Sequence, residues 1–308
     1  MTVPADLPRL LPLTPQYRER VWGGQRFQSS SDTPIGEAWI AYGESVVASG
    51  PAQGKTLDEL GVGGPGGFPL LIKLLDCADW LSVQVHPNDA QAETMVGPGM
   101  RGKTEAWHIL EAAPGAEILA GVSEGTTPEQ LARSIRSGAV LEVAERHAVE
   151  AGDTVFIPAG TLHALGPGLL LYEVQQSSDT TYRVYDWDRP ASAGRALHLE
   201  ESVAVTRAEL QGDMRPASQT HGEGTLTSSE YFVLQGLHLG GAEAGRTVAK
   251  GEGFQIVTVT TGQVVLTAGD EELTLGTFET ALVTASAQDY TLRATGGSAS
   301  ILISSPPA

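Results

Sequence analysis

Residues 152–165 read GDTVFIPAGTLHAL. A glycine opens the stretch, a short run of strand character follows, and Pro158, Gly160 and His163 come at fixed intervals, G-x5-P-x-G-x2-H. Gly152 allows a tight turn before an extended segment, and Pro158 with Gly160 bends the chain where that segment ends. His163 is presented just past the bend. An imidazole in such a place is costly to bury unless other groups meet it.

Two upstream stretches supply such groups. Residues 81–87 read LSVQVHP; as a strand they place Ser82, Gln84 and His86 on one face and Leu81, Val83 and Val85 on the other. Residues 101–108 read RGKTEAWH. There Lys103, Glu105, Trp107 and Ile109 share a face, and His108 points the opposite way. A polar face backed by an apolar one is the pattern of a small barrel wall with a polar lumen. A lone strand histidine is most simply a hydrogen-bonded structural residue. Two histidines and a carboxylate, His86, Glu105 and His163, instead make a site for one divalent transition metal, with Gln84 as a fourth, oxygen donor.

The whole chain supports a β reading. Its 308 residues include 37 glycines and 18 prolines, and short runs of Val, Ile, Leu and Thr alternate with turn residues, the pattern of an all-β sandwich or barrel. Helices are exceptions. In TTPEQLARSIRSG, Thr127 caps, Pro128 takes the first helical position, Gln130 completes a capping box and Gly138 ends the run; a second short helix starts at Asn88 or Asp89 and reaches Met95. From Gly253 to Ser304 the pattern is almost wholly strand-like, which predicts a second β domain. The turn-rich segment QGDMRPASQTHGEGTLTSSE sets the division near residue 215, giving a metal-binding domain over 1–215 and a C-terminal β domain over 216–308. Only His221 and His238 follow residue 210, so a histidine-rich site belongs to the first part.

Charge and cysteine content narrow the function. With 37 acidic against 19 basic residues, the formal charge of −18 argues against nucleic acid or an anionic membrane surface as partner and leaves room for a small anion held by local cations. Cys77 is the sole cysteine, so no intramolecular disulfide forms and a reduced, cytoplasmic setting is the simpler expectation. The stretch MTVPADLPRLLPLTPQYRER has neither the apolar run of a signal peptide nor that of a spanning helix. No obligate protein partner is implied.

The 152–163 spacing is the second motif of cupin barrels, with Pro167 where many cupins carry Asn. Over residues 10 to 200 the chain also resembles the type I phosphomannose isomerases of the shorter bacterial kind, through WGG at 22–24, GEAW at 36–39, QVHPND at 84–89, GKTEAWHIL at 102–110, PAGTLHALG at 158–166 and EVQQSSDTTYRVYDWDR at 173–189. The resemblance implies two cupin-type jelly-roll β domains with a few short helices. It implies zinc held by Gln84, His86, Glu105 and His163, and catalysis by Arg183. The expected reaction is the reversible conversion of D-mannose 6-phosphate to D-fructose 6-phosphate through an enediol.

Lys103, two residues before Glu105, would add positive charge or move a proton, while Arg183, with Thr181 and Tyr185 on its face, would stabilise an anion or grip the phosphate. Glu173, Gln175 and Asp179 are further acid-base or positioning candidates. Arg183 could alternatively form a structural ion pair with Asp186 or Asp188. Trp22, Trp39 and Trp107 read as core or pocket wall. Two other functions fit the donor set: a catalytically silent sugar-phosphate-binding regulator, and a mononuclear iron oxygenase.

Overall fold

The computed structural model describes residues 7–27, 33–190, 195–241 and 245–307. Residues 1–6 of the N-terminal stretch read above lie outside them. The described chain is mainly strand with a few short helices, as the punctuation predicts. It forms two compact units: one takes in residues 1–16, 39–73 and 218–308, the other 17–38 and 74–217.

The unit containing the C-terminal residues pairs a six-stranded sheet with a four-stranded one. The six-stranded sheet runs Leu10–Leu13, Thr280–Val283, Gln255–Thr261, Ala299–Ser305, Val233–Leu239, Gly224–Ser228, and the other Arg246–Val248, Tyr290–Ala294, Val264–Ala268, Glu271–Leu275. Its core is apolar throughout, built from Leu237, Val257, Val259, Leu266, Tyr290, Leu292 and Ile301 among others. This lumen is filled with hydrocarbon.

The second unit carries the chemistry-bearing residues. A five-stranded sheet runs Tyr182–Tyr185, Val83–Val85, His163–Leu165, Glu117–Val122, Ala144–Ala148. A second sheet runs Asp213–Arg215, Thr154–Ile157, Glu105–Ala112, Leu169–Gln176 and on through the parts of Leu70–Cys77, Gln16–Gly24 and Ile35–Ala41 that belong to this unit. Trp107, Ile109, Ile118, Ala120, Val155, Ile157 and Leu165 form one apolar cluster in this unit. Val83, Val85, Leu119, Leu162 and Ala164 join a different cluster with Leu131 and Ile135 of one helix and Val205 of another. That helical cover is why the central strands His163–Leu165 and Glu117–Val122 are buried on both faces.

The helices begin where their caps require. Helix α1 (Asp89–Met95) starts after Asn88 and α2 (Pro128–Ser137) after Thr127, and each has a complete capping box, closed by Gln91 and Gln130 respectively. Gly138 ends α2 at φ 77°, the left-handed conformation that suits glycine. Helix α3 (Leu199–Val205) completes the cover. No helix among the described residues is long and apolar enough to cross a membrane.

Two local expectations need correction. The strand predicted from Leu81 begins only at Val83, and Leu81 packs with Trp107 and Leu165 rather than with Val83 and Val85; its N–H donates to the Leu165 carbonyl at 2.9 Å, while its carbonyl is taken by the Trp187 indole instead of a ladder partner. Tyr185 does not share the face of Arg183. The register shifts between these two residues, leaving Arg183 opposite Gln84 and Tyr185 opposite Val83, so Tyr185 turns toward the helix-covered cluster.

Candidate metal centre

The 152–163 motif folds as its residues demand. Gly152 and Gly160 have φ of 93° and 92°, a region costly for any residue with a Cβ. The Gly160 N–H donates to the His86 carbonyl at 2.9 Å, which ties the bend to the other histidine, just past the end of the strand Val83–Val85. His163 Cα pairs with Ala120 on one side and Gln84 on the other.

Three side chains then converge. Donor atoms of His86, Glu105 and His163 all lie within 4.8 Å of one another, and all three residues are buried. Glu105 reaches both rings, with Oε2 at 3.5 Å from His86 Nε2 and Oε1 at 3.3 Å from His163 Nε2. The far side of each ring is held by a carbonyl: His86 Nδ1–H donates to Thr180 O at 2.9 Å and His163 Nδ1–H to Thr161 O at 2.8 Å. These bonds fix the tautomer and aim both Nε2 lone pairs at Glu105, the arrangement metal-ligating histidines use. Burial holds the His163 ring below the ordinary imidazole value, against the pull of Glu105. The neutral ring is the ligand form.

Does this set fit a cation? His163 Nε2 is buried and has no hydrogen-bond partner among the described residues, an arrangement that is expensive unless something positive occupies the space before it. Lys103 is also buried, with Nζ 2.7 Å from Glu105 Oε2 and 3.1 Å from His86 Nε2. A positive charge is already what this set attracts. Two neutral imidazoles and a carboxylate fit a divalent ion.

The remaining candidates separate cleanly. Gln84 is half-buried, with Cα opposite His163 on one neighbour and Arg183 on the other; directly opposed residues share a face, so His163, Gln84 and Arg183 form one row. Arg183 donates from Nη1 to Ala196 O at 2.9 Å, its backbone N–H meets His198 Nδ1 at 3.1 Å, and its Nε is buried without a hydrogen-bond partner among the described residues. Burial lowers its pKa, opposed by Asp186. Asp186 forms its ion pairs with Arg189 and Arg195, and Asp188 meets Tyr185 Oη.

Glu173 is buried, opposite Trp107 in register, and accepts from its Nε1 at 3.2 Å. Gln175 sits opposite Glu105 but donates to the carbonyls of Gln176 and Ser178, which makes it a loop-holding residue. Asp179 is exposed. His108 faces away, as its position predicts, and pairs through Nδ1 with Thr154 Oγ1 at 2.9 Å. Trp22 and Trp107 are core, whereas Trp39 lies in the other unit, edge-on to Tyr42.

Sequence reading missed the carbonyls of Thr180 and Thr161, which carry no side-chain signal. It also missed Arg189 and Arg195, although three arginines within residues 183–195 of so acidic a chain are a usable sign.

A β barrel with a buried His–Glu–His donor set, a lysine on that set and an arginine in its row is a cupin-type fold equipped to hold a divalent metal. Residues 10–102 match the family model described as phosphomannose isomerase type I, catalytic domain. A mannose-6-phosphate isomerase from Streptococcus mutans is 38% identical over 285 residues, covering 85% of this chain and 88% of the relative. Mannose-6-phosphate isomerase ManA of Bacillus subtilis is 36% identical over 278 residues, covering 83% and 87%. The crystal structure of a mannose 6-phosphate isomerase from Bacillus subtilis superposes with a TM-score of 0.84 at 31% identity, over 97% of this chain and all of that one. The chain belongs to the type I phosphomannose isomerase family.

Proposed function

We propose that the protein interconverts D-mannose 6-phosphate and D-fructose 6-phosphate through an enediol, using one zinc ion held by His86, Glu105 and His163 with Gln84 beside them. The observation that carries this reading is the convergence of two tautomer-locked buried imidazoles on one buried carboxylate in a chain of this family. Bound there, the ion would polarise the substrate's oxygens and take up developing negative charge without a redox step. Zinc suits the imidazole–carboxylate donors and the absence of electron transfer from the reaction.

The chain's own residues do the rest. Moving the carbonyl between C1 and C2 requires a proton to leave one carbon and return to its neighbour. Lys103 and Glu173 are the two buried groups on the faces of Glu105 and Gln175 that can hold or pass it. Arg183, always cationic, cannot be the base and instead stabilises the anionic enediolate from the Gln84 row. Trp107, fully buried with its ring centroid 5.5 Å from that of His163 in an edge-on arrangement, limits water around the donor set.

The test is a coupled assay of mannose 6-phosphate turnover with elemental analysis of the same preparation. Expected are turnover, about one zinc per chain and loss of activity on chelation. Tight sugar-phosphate binding without turnover by the metal-loaded protein would overturn the reading in favour of a silent regulator.

A further inference from the structure

The row that ends at the metal donors begins among arginines. Ser82 lies two residues before Gln84 and four before His86. At about 3.3 Å per extended residue, Ser82 is at most about 13 Å from His86 and Gln84 at most about 7 Å. Arg183 stands opposite Gln84, and Arg195 donates from Nη2 to Ser82 Oγ at 3.1 Å. Charge is thus laid out along one short segment: an acidic donor set at the His86 end, a guanidinium opposite Gln84, a second guanidinium at Ser82.

Asp186 shows which arginine is committed and which is not. It is buried, and Oδ1 accepts from Arg189 Nη1 at 2.8 Å. Arg189 is held by three side-chain hydrogen bonds, donating also from Nη2 to Asp79 Oδ2 at 2.8 Å and to Trp80 O at 2.6 Å. It is a structural staple. Arg195 differs, because its Nε approaches Asp186 Oδ2 only to 3.4 Å, and Oδ2 makes no hydrogen bond among the described residues. The pair is ionic but not locked. Arg183 Nε is likewise buried with no hydrogen-bond partner among the described residues, and burial, opposed by Asp186 and reinforced by the neighbouring arginines, lowers the pKa of Arg195. A guanidinium held only by one hydroxyl and a long ion pair, on the segment that leads to the metal donors, matches a doubly charged phosphoryl group.

We propose that Arg195 grips the phosphoryl group of the substrate, and that Asp186 holds the Arg195 guanidinium in place until that group arrives. This rests on the sugar-phosphate reading above and adds its specificity determinant: the substrate is measured between the Ser82 end and the His86 end, so a sugar without the phosphoryl group is a poor fit.

Arg195→Gln and Arg195→Lys test it, with mannose 6-phosphate and unphosphorylated mannose as substrates and calorimetric titration with inorganic phosphate. For Arg195→Gln the KM for mannose 6-phosphate should rise about tenfold to a hundredfold, the effect of losing a hydrogen bond to a charged group, with kcat within about twofold. Activity on mannose and the zinc content should stay unchanged, phosphate affinity should fall by the same factor as KM rises, and Arg195→Lys should recover part of it. Equal losses on both sugars, phosphate bound as tightly by the variant as by the parent, or no phosphate bound by the parent would each overturn the proposal. If the parent fails to turn over mannose 6-phosphate, that failure belongs to the isomerase reading, and the phosphate titration decides Arg195 independently. If Arg195→Gln does not fold, the same titration on Arg195→Lys gives the answer, and undiminished phosphate affinity there overturns the assignment.

Discussion

The ammonium of Lys103 lies 2.7 Å from Glu105 Oε2, and both side chains are buried. A buried ion pair of this kind loses much when one partner is removed, since the other is left uncompensated. The two partners nevertheless serve different ends. Lys103→Met leaves both imidazoles and the carboxylate in place, so zinc content should persist while turnover falls about a hundredfold or more, the usual scale for a lost proton-transfer or charge-stabilising group. Glu105→Gln should lose the metal itself. Elemental analysis beside the coupled assay separates them, and a Lys103→Met protein without metal would place Lys103 in a structural role.

His86 and His108 make a matched pair. His86→Ala removes a donor held by Thr180, and metal should be lost with activity. His108→Asn touches only the Thr154 side of the same wall and should retain both. Equal metal loss in the two variants would mean that the face assignment is wrong.

His108 also predicts a pH effect on stability. Burial pushes its pKa down to about 4, with Asp153 opposing, while an unfolded histidine titrates near its ordinary value of about 6.5. Between those values the unfolded chain binds more protons than the folded one. Stability from this group is therefore complete above about pH 6.5 and is lost as pH falls toward 4, by on the order of 2–3 kcal/mol. Urea unfolding of the parent and of His108→Asn from pH 7 to 4.5 should show this slope diminished in the variant. Parallel pH profiles would exclude His108 as its source.

These outcomes depend on features of unequal visibility in the sequence. Period-two alternation was enough to separate Glu105 from His108, and capping chemistry placed α1 and α2, because both are rules acting over a few residues. The strand Leu10–Leu13 pairs with Thr280–Val283, a contact no local rule can announce. Alternation alone puts Tyr185 on the wrong face because one bulge near Val184 breaks it, and bulges leave little trace in composition. The carbonyls that lock the two histidines belong to Thr180 and Thr161, where any residue type would serve. Arg195, Asp186 and Ser82 meet only through folding, so their spacing in the chain says nothing.

Gly160 tests the link between the motif and the metal donors. Its φ of 92° disfavours any Cβ, and an added one would stand 3.1 Å from Arg207 Cγ and 3.2 Å from Leu210 Cδ1. Gly160→Ala should destabilise the protein by about 1–3 kcal/mol. Because the same residue's N–H holds the His86 carbonyl, zinc affinity should weaken as well, as competition with a chelator would register. Destabilisation with unchanged zinc affinity would confine Gly160 to the bend.

Arg183 provides the sharpest division between ground-state and transition-state roles. It stands opposite Gln84, in one row with His163, and its buried Nε has no hydrogen-bond partner among the described residues. A guanidinium so placed is held partly unsatisfied until negative charge appears near it. If that charge is the enediolate, Arg183→Ala should lower kcat by about a hundredfold or more, equivalent to roughly 3 kcal/mol of transition-state stabilisation, with KM and zinc content little changed. Arg183→Lys should recover only part, because an ammonium cannot reproduce the planar fork. If Arg183 instead acts chiefly on the phosphoryl group with Arg195, KM rises and kcat holds, and the double variant with Arg195→Gln shows non-additive losses. Wild-type values for both constants in Arg183→Ala would remove it from the mechanism and leave Lys103 as the cation that stabilises the developing charge.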